Sequence, residues 1–124
     1  MPLTKEQILQ ASDLQRELVS VPEWDGEVWV RGLSGKERDA FEADSLVQTG
    51  KTHRVRLENL RARLCALAMC DQAGGRLFDD KDVEALGAKS GAALARVYAV
   101  AQRLSGIGQQ EAEELAGNSA SVRA

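Results

Sequence analysis

The sequence predicts a mostly helical α+β domain, with one β-hairpin near the N-terminus packed on about four helices. Aromatic residues make up only 4% of the 124 residues, so leucine, valine and alanine must supply most of the core. Such a core suits closely packed helices better than a β-sandwich. Apolar residues recur at helical spacing in the second half of the chain, and an alternating pattern surrounds one Asp-Gly pair near its start.

The length indicates one domain, which we place at residues 1–116. Residues 117–124 have the small, polar composition of a frayed tail and are predicted to be flexible.

The first elements are a short helix and the hairpin. Thr4 and Gln7 form a capping-box pattern that starts the helix. Asp25-Gly26 then predicts a two-residue type I′ turn, because both central positions of that turn need positive φ. The strands are therefore expected at about residues 18–24 and 27–33.

This turn would sort the apolar side chains onto two faces of the hairpin. Pro22 cannot donate a ladder hydrogen bond, so its strand should be an edge or carry a bulge. One face would carry Val19, Val21, Val28 and Val30, and the other Pro22, Trp24 and Trp29.

Helices dominate the remainder. Ser34 with Glu37 is a second capping box, which begins a helix. Residues 48–54 are polar and predict a flexible loop, and residues 55–71 predict one continuous amphipathic helix. Asp79 or Asp80 should cap a short helix that ends at Gly87.

The last strong helix carries apolar residues at helical spacing and should end at Gly106. Residues 108–116 allow one or two further acidic helical turns.

Bulk charge and hydropathy exclude several classes of protein. Sixteen basic against 19 acidic side chains give a net charge of −3, which disfavours a general nucleic-acid binder. No apolar run is long enough for a membrane span, and the opening MPLTKEQILQ lacks the apolar core of a signal peptide. Residence in the cytosol is the expectation.

Two cysteines and one histidine offer no reactive or metal-binding pattern. Cys65 and Cys70 fall within one predicted helix on different faces, so they should not pair, and their spacing is not that of a zinc site. We expect both to be small core or boundary residues. His53 lies in the predicted polar loop without a nucleophile pattern around it.

Two other motifs only superficially suggest a ligand. In GLSGKE, Gly32 and Gly35 are too close for a phosphate loop, and Glu37 stands where its hydroxyl should be. In DDKD (79–82) the central glycine of a calcium loop is missing, and acidic residues there suit the first turn of a helix. No metal and no cofactor is expected.

The only basic cluster lies between residues 54 and 63. Its members are Arg54, Arg56, Arg61 and Arg63. Glu58 interrupts the cluster and can pair with Arg61 at helical spacing, so a solvated helix face is expected. A nucleic-acid-binding or regulatory protein that uses this cluster is the alternative interpretation. No catalytic constellation is present, and we do not expect an enzyme.

Without a catalytic or ligand-binding motif, the remaining kind of functional site is a surface that binds another protein. The hairpin is the candidate for this surface. A hairpin with two apolar faces can bury only one of them in so small a domain, and tryptophan is enriched at interface hot spots. The candidate contact residues are Val21, Pro22, Trp24, Trp29 and Arg31. The competing interpretation is that both tryptophans pack under the protein's own helices.

Four stretches of the chain follow one another in a familiar order. They are VPEWDGEVWVRGLSGKERDAFEA, LENLRARLCALAMCD, GRLFDDKDVEALGAKSGAALARVYAVAQRLSG and EAEEL. The most telling parts are Pro22 to Trp24, Glu37-Arg38-Asp39 with Phe41, and Leu77-Phe78 before Asp82-Val83. From about Leu3 to Asn118 the chain resembles the small tail assembly chaperones of long-tailed bacteriophages and prophages.

That resemblance implies a protein that binds the long tape measure protein in the host cytoplasm while tail tube subunits polymerise, and that is absent from the mature virion. It also implies, in many phages, a frameshift-extended form that recruits the tail tube protein. It supplies no catalytic residues. Self-association along the Pro22 strand is a further hypothesis. A structural tail or head-completion subunit is the remaining alternative, and would stay in the virion.

Overall fold

The computed structural model describes residues 2–49, 52–55 and 58–107, with the backbone alone in 47–49 and 52–55. The predicted domain boundary at residue 116 and the predicted tail therefore lie outside the described residues, as do the acidic turns expected at 108–116.

The described chain contains five α-helices and five β-strands, a mostly helical α+β fold as predicted. The helices are α1 (Lys5–Gln10), α2 (Gly35–Ser45), α3 (Leu60–Ala68), α4 (Val83–Gly87) and α5 (Gly91–Leu104). The strands are β1 (Arg16–Val21), β2 (Gly26–Arg31), β3 (Leu46–Thr49), β4 (Thr52–Val55) and β5 (Met69–Cys70).

An antiparallel sheet in the order β1-β2-β5 forms one layer of the fold. The register of the β1–β2 hairpin runs from Arg16 opposite Arg31 to Val21 opposite Gly26. On the other side of β2, Trp29 lies opposite Cys70. Strand β1 is thus an edge of this sheet.

The predicted two-residue turn and its register are wrong. A 3₁₀ turn (Pro22–Trp24) joins the strands, and Asp25 follows it in the left-handed region with φ of 57°. Pro22 explains the difference, because it lacks the N–H that a longer ladder would require and its φ suits the start of a turn. The first strand therefore ends at Val21, and it begins at Arg16 rather than residue 18.

The observed strand pairing is displaced from the predicted pairing by an even number of residues. The prediction that the valines share one face is therefore still correct. Val19 lies opposite Val28, and Val21 and Val30 are fully buried on the same face. The assignment of Trp24 and Trp29 to one shared face fails, however, because Trp24 lies in the turn and only Trp29 lies in the ladder.

The core lies between the valine face and helices α3 and α5. Helix α5 packs against β1, β2 and α3. Many of the buried side chains are small, which allows the helices to approach closely. Buried alanines are Ala62, Ala66, Ala68, Ala93 and Ala101, and the large buried side chains include Phe41, Leu64 and Met69.

Two backbone segments pack closely at Gly32, just after β2. A Cβ atom at this position would lie 2.5 Å from the carbonyl oxygen of Leu104 in α5. The sheet and the last turn of α5 therefore meet backbone to backbone.

The predicted loop and helix between residues 48 and 71 differ from the structure. Strands β3 and β4 form a second antiparallel hairpin where a flexible loop was expected, and His53 lies in β4. Helix α3 begins only at Leu60, after Asn59 with φ of 55°. The predicted helix start at residue 55 therefore falls inside β4.

The two thiols are free and buried, which confirms that both cysteines are small core residues. Cys70 is nevertheless outside the helix, because α3 ends at Ala68 and the chain extends to pair with β2.

Three predicted helix caps are confirmed. Thr4 with Gln7 and Ser34 with Glu37 both form complete capping boxes. Asp79 caps the 3₁₀ turn that leads into α4, and α4 ends at Gly87. Gly106, with φ of 75°, follows the end of α5.

Candidate partner-binding surfaces

The five residues predicted to contact a partner do not lie on one surface. Val21 has no exposed area and belongs to the core. Arg31 is 8% exposed. Pro22 is exposed, while Trp24 and Trp29 are half-buried in two different places.

Arg31 connects three elements of the fold. Its guanidinium donates two hydrogen bonds to the Glu37 carboxylate, at 2.8 and 2.6 Å, and one at 3.0 Å to the carbonyl oxygen of Leu67 in α3. Glu37 also accepts from the Ser34 amide at 3.0 Å as part of the capping box. Arg31 therefore joins β2 to α2 and α3 and has little surface to offer a partner.

The electrostatics of this pair follow from its partly buried position. The hydrogen bonds from Arg31 outweigh desolvation and lower the pKa of Glu37 from 4.5 to about 2. Glu37 is therefore ionised at any physiological pH.

Trp24 lines an apolar pocket on the surface between the hairpin turn and α4. The pocket has a volume of about 350 Å³. Its lining residues are Trp24, Phe78, Asp82, Ala85, Leu86 and Lys89. Trp24 and Phe78 also pack on the main core, so the indole is half core and half surface.

An ion pair fixes the turn that presents Trp24. Glu23 accepts hydrogen bonds from Arg96 of α5, the shortest at 3.0 Å. These hydrogen bonds lower the pKa of Glu23. The turn is thus held against α5, and a side chain of a partner would meet a preformed pocket.

Trp29 lies on the opposite face of the sheet from the core. It faces Leu18 across the hairpin, and Leu18 is 44% exposed. The guanidinium of Arg16 lies 5.7 Å from the centroid of the indole ring, at cation–π distance. This outer face is a second amphipathic patch, separate from the Trp24 pocket.

Exposed apolar side chains also lie in the N-terminal segment, outside the predicted contact residues. Helix α1 buries none of its residues. Large exposed hydrophobic residues in this part of the chain are Leu3, Ile8, Leu9, Leu14 and Leu18. The signal was present in the sequence, because the small Ala11 is the only apolar neighbour that Ile8 and Leu9 have one turn away.

Of the predicted basic cluster, the side chains of Arg54 and Arg56 lie outside the described residues, Arg61 is exposed, and Arg63 is not on a solvated helix face. Arg63 is 8% exposed and donates hydrogen bonds to the Ser45 hydroxyl (3.1 Å) and to the Glu58 carbonyl oxygen. The guanidinium of Arg61 lies 5.9 Å from the ring centroid of Tyr98. Across the described residues, the expected Glu58–Arg61 ion pair does not occur. The description of Arg63 as solvated was wrong, since a helical stripe cannot reveal a neighbour as distant in sequence as Ser45.

Within the described residues, no cluster of three or more His, Cys, Asp or Glu side chains could hold a metal ion. Among those same residues, none of the helices combines the length and apolarity that crossing a membrane requires. GLSGKE is a helix cap, because the Ser34 hydroxyl accepts from the Glu37 amide at 3.2 Å.

Comparison with known proteins adds a family to this geometry. A family model described as "Phage tail assembly chaperone" matches residues 4–117. The chain also resembles the solved structure of the bacteriophage HK97 tail assembly chaperone, with a TM-score of 0.57 and 20% identity over 80% of this chain and 94% of that one. At this identity the likeness concerns the fold alone. Among curated proteins, no sequence matches the chain.

Proposed function

Because this chain belongs to the phage tail assembly chaperone family, we propose that it binds the tape measure protein and aids assembly of the tail tube. The match to the family along residues 4–117 is the observation that carries the proposal. In this proposal the protein acts in the host cytoplasm and is absent from the mature virion.

The proposed contact surface comprises the Trp24 pocket and the outer sheet face around Trp29. Both tryptophans are half-buried, so each has a fixed conformation and still offers apolar area to a partner. Rigid, partly exposed aromatic side chains are typical interface hot spots. Pro22 lies beside Trp24 in the exposed turn, whereas Val21 and Arg31 are buried and offer a partner little surface.

A long partner would be held by many copies of such modest surfaces. Each copy contributes a small apolar contact. When several copies bind along the same partner chain, the overall affinity increases although no copy has a deep pocket. The exposed leucines and isoleucine of the N-terminal segment would add to the apolar area of each copy.

Two further contacts belong to the same proposal. The edge strand β1 is available for self-association by strand pairing. Pro22 follows the strand rather than interrupting it, so it does not block such pairing. A frameshift-extended form of the chain would bring in the tail tube protein.

Co-expression with the tape measure protein of the same phage tests the function. We expect that protein to be soluble with this chain and to precipitate without it. Trp24→Ala should reduce the soluble fraction, and Trp24→Phe, which keeps an aromatic ring in the pocket, should restore most of it. Leu46→Ala is the matched control, because Leu46 is 46% exposed but lies in β3, outside both tryptophan surfaces. A tape measure protein that is equally soluble with and without the chain would refute the proposal.

Purified virions separate the proposal from the alternative of a structural subunit. An antibody against this chain should detect it in the infected cell and not in the particles. Stoichiometric amounts in the particles would instead identify a structural tail or head-completion protein.

A further inference from the structure

A groove lies between α2 and α4 on a different side of α3 from the sheet. Both helices pack on α3. The groove has a volume of about 470 Å³. Phe41 and Leu67 line it, together with Ala40 of α2 and Val83 of α4. Apolar side chains thus lie along its base and on both flanking helices.

The geometry limits what kind of segment can bind there. Helical backbone groups are hydrogen-bonded within their own helix, so the flanking helices have no free edge to which a β-strand could be added. Recognition must then come from side chains, as it does where an amphipathic helix lies in an apolar groove.

Five acidic and three basic residues line the groove, so the formal charge of its lining is negative. Within the described residues, the carboxylates of Asp44 and Glu58 make no hydrogen bond or ion pair, and Glu84 accepts only from the neutral amide of Asn59, at 3.1 Å. These three carboxylates all line the groove.

The basic residues that line the groove are mostly engaged internally. Arg63 bonds to Ser45, and Arg76 donates to the Ala66 carbonyl oxygen and to Asp80. Lys36 alone makes no interaction with another described residue. The groove therefore favours a cationic ligand.

We propose that this groove binds an amphipathic α-helix of the chaperone's protein partner, with lysine or arginine side chains flanking its apolar stripe. The proposal rests on the proposed function, because it assigns a segment of that same partner to a second surface. It adds both a location and a chemical class. The apolar stripe contacts Ala40, Leu67 and Val83, while the flanking cations face Asp44, Glu58 and Glu84.

Model peptides test the groove without the natural partner. One peptide of about 18 residues carries leucines at helical spacing flanked by lysines, and its matched control carries glutamate in place of every lysine. Titration of the full chain, followed by amide chemical shifts, should move Ala40, Leu67 and Val83 with the lysine peptide. The glutamate peptide should bind at least about tenfold more weakly at low salt.

Charge and steric variants sharpen the test. Asp44→Lys with Glu84→Lys should weaken the lysine peptide about tenfold or more. Asp13→Lys with Glu27→Lys makes the same charge change outside the groove, on exposed residues, and should have a much smaller effect. Ala40→Trp, at an exposed position, should block the groove without any charge change.

Several outcomes would overturn the groove proposal. They are equal binding of the two peptides, absence of binding by the lysine peptide, shifts that map to the Trp24 pocket, or groove variants that bind as tightly as the wild type. If the tape measure protein stays insoluble beside the wild-type chain while the lysine peptide binds the groove, the proposed function fails and the groove remains. If the wild-type chain solubilises it and every groove variant does so equally, the groove proposal fails and the function stands.

Discussion

Replacing Glu37 by glutamine removes the charge that compensates Arg31 while keeping the shape of the side chain. The guanidinium of Arg31 is then left with only neutral acceptors, in a position that is 8% exposed. A buried charge that loses its partner destabilises a fold strongly. We therefore expect Glu37→Gln to lower the free energy of unfolding.

The magnitude follows from the pKa of Glu37. That pKa falls from 4.5 to about 2 on folding, and a change of one in a pKa corresponds to about 1.4 kcal/mol, so ionised Glu37 contributes about 3 kcal/mol. Because the pKa is lower in the folded state, this contribution is complete well above pH 4.5 and declines as the pH falls towards 2.

Urea unfolding followed by circular dichroism measures the effect. At pH 7 the variant should be about 2 to 3 kcal/mol less stable than the wild type, and the difference should shrink steadily below pH 4.5. A difference that stays constant from pH 7 to pH 2.5 would refute the reasoning, as would a variant as stable as the wild type at pH 7. Glu42→Gln is the control, because its ion pair with Arg38 is much more exposed and should contribute no more than about 0.5 kcal/mol.

Two other expectations follow from packing. Gly32→Ala should destabilise the fold by about 2 kcal/mol, because its Cβ would clash with the Leu104 carbonyl oxygen. Gly91→Ala is the control and should not destabilise the fold, because a Cβ at that position contacts no other atom. Equal urea midpoints for the two variants would contradict the close packing at Gly32. Both thiols should resist an aromatic disulfide reagent in the folded protein and react in denaturant, because burial raises the pKa of Cys65 to about 12 and also raises that of Cys70. Rapid labelling of the folded chain would show that these thiols are accessible.

The features that the sequence predicted well are local. Capping boxes at Ser34 and Thr4 involve residues three positions apart, so the pattern and the hydrogen bonds coincide. The valine face was also predictable, because strand side chains alternate with a period of two and the register error was even.

The features that the sequence did not reveal depend on contacts between distant segments. Arg31 meets the Leu67 carbonyl oxygen 36 positions away, so its burial has no local signal. Strand β5 has only two residues, too few for any periodicity, and it exists because β2 offers an edge.

The predicted contact residues are divided between separate places for a related reason. Pro22 ends the first strand three residues before the predicted end at residue 24, and this places Trp24 in a turn that packs beside Phe78. The backbone constraint at Pro22 therefore places Trp24 on a different surface from the one predicted. The two-tryptophan patch became two separate patches.

The separation of the two tryptophans gives the chain two independent optical reporters. The indole of Trp24 senses an apolar pocket, whereas that of Trp29 lies beneath the Arg16 guanidinium on the other face of the sheet. Because the sequence contains two tryptophans in all, Trp24→Phe and Trp29→Phe each leave a single emitter. The emission maximum and quenching of each tryptophan can then be followed in its own variant as partners are added, so occupancy of each surface can be timed without any attached dye.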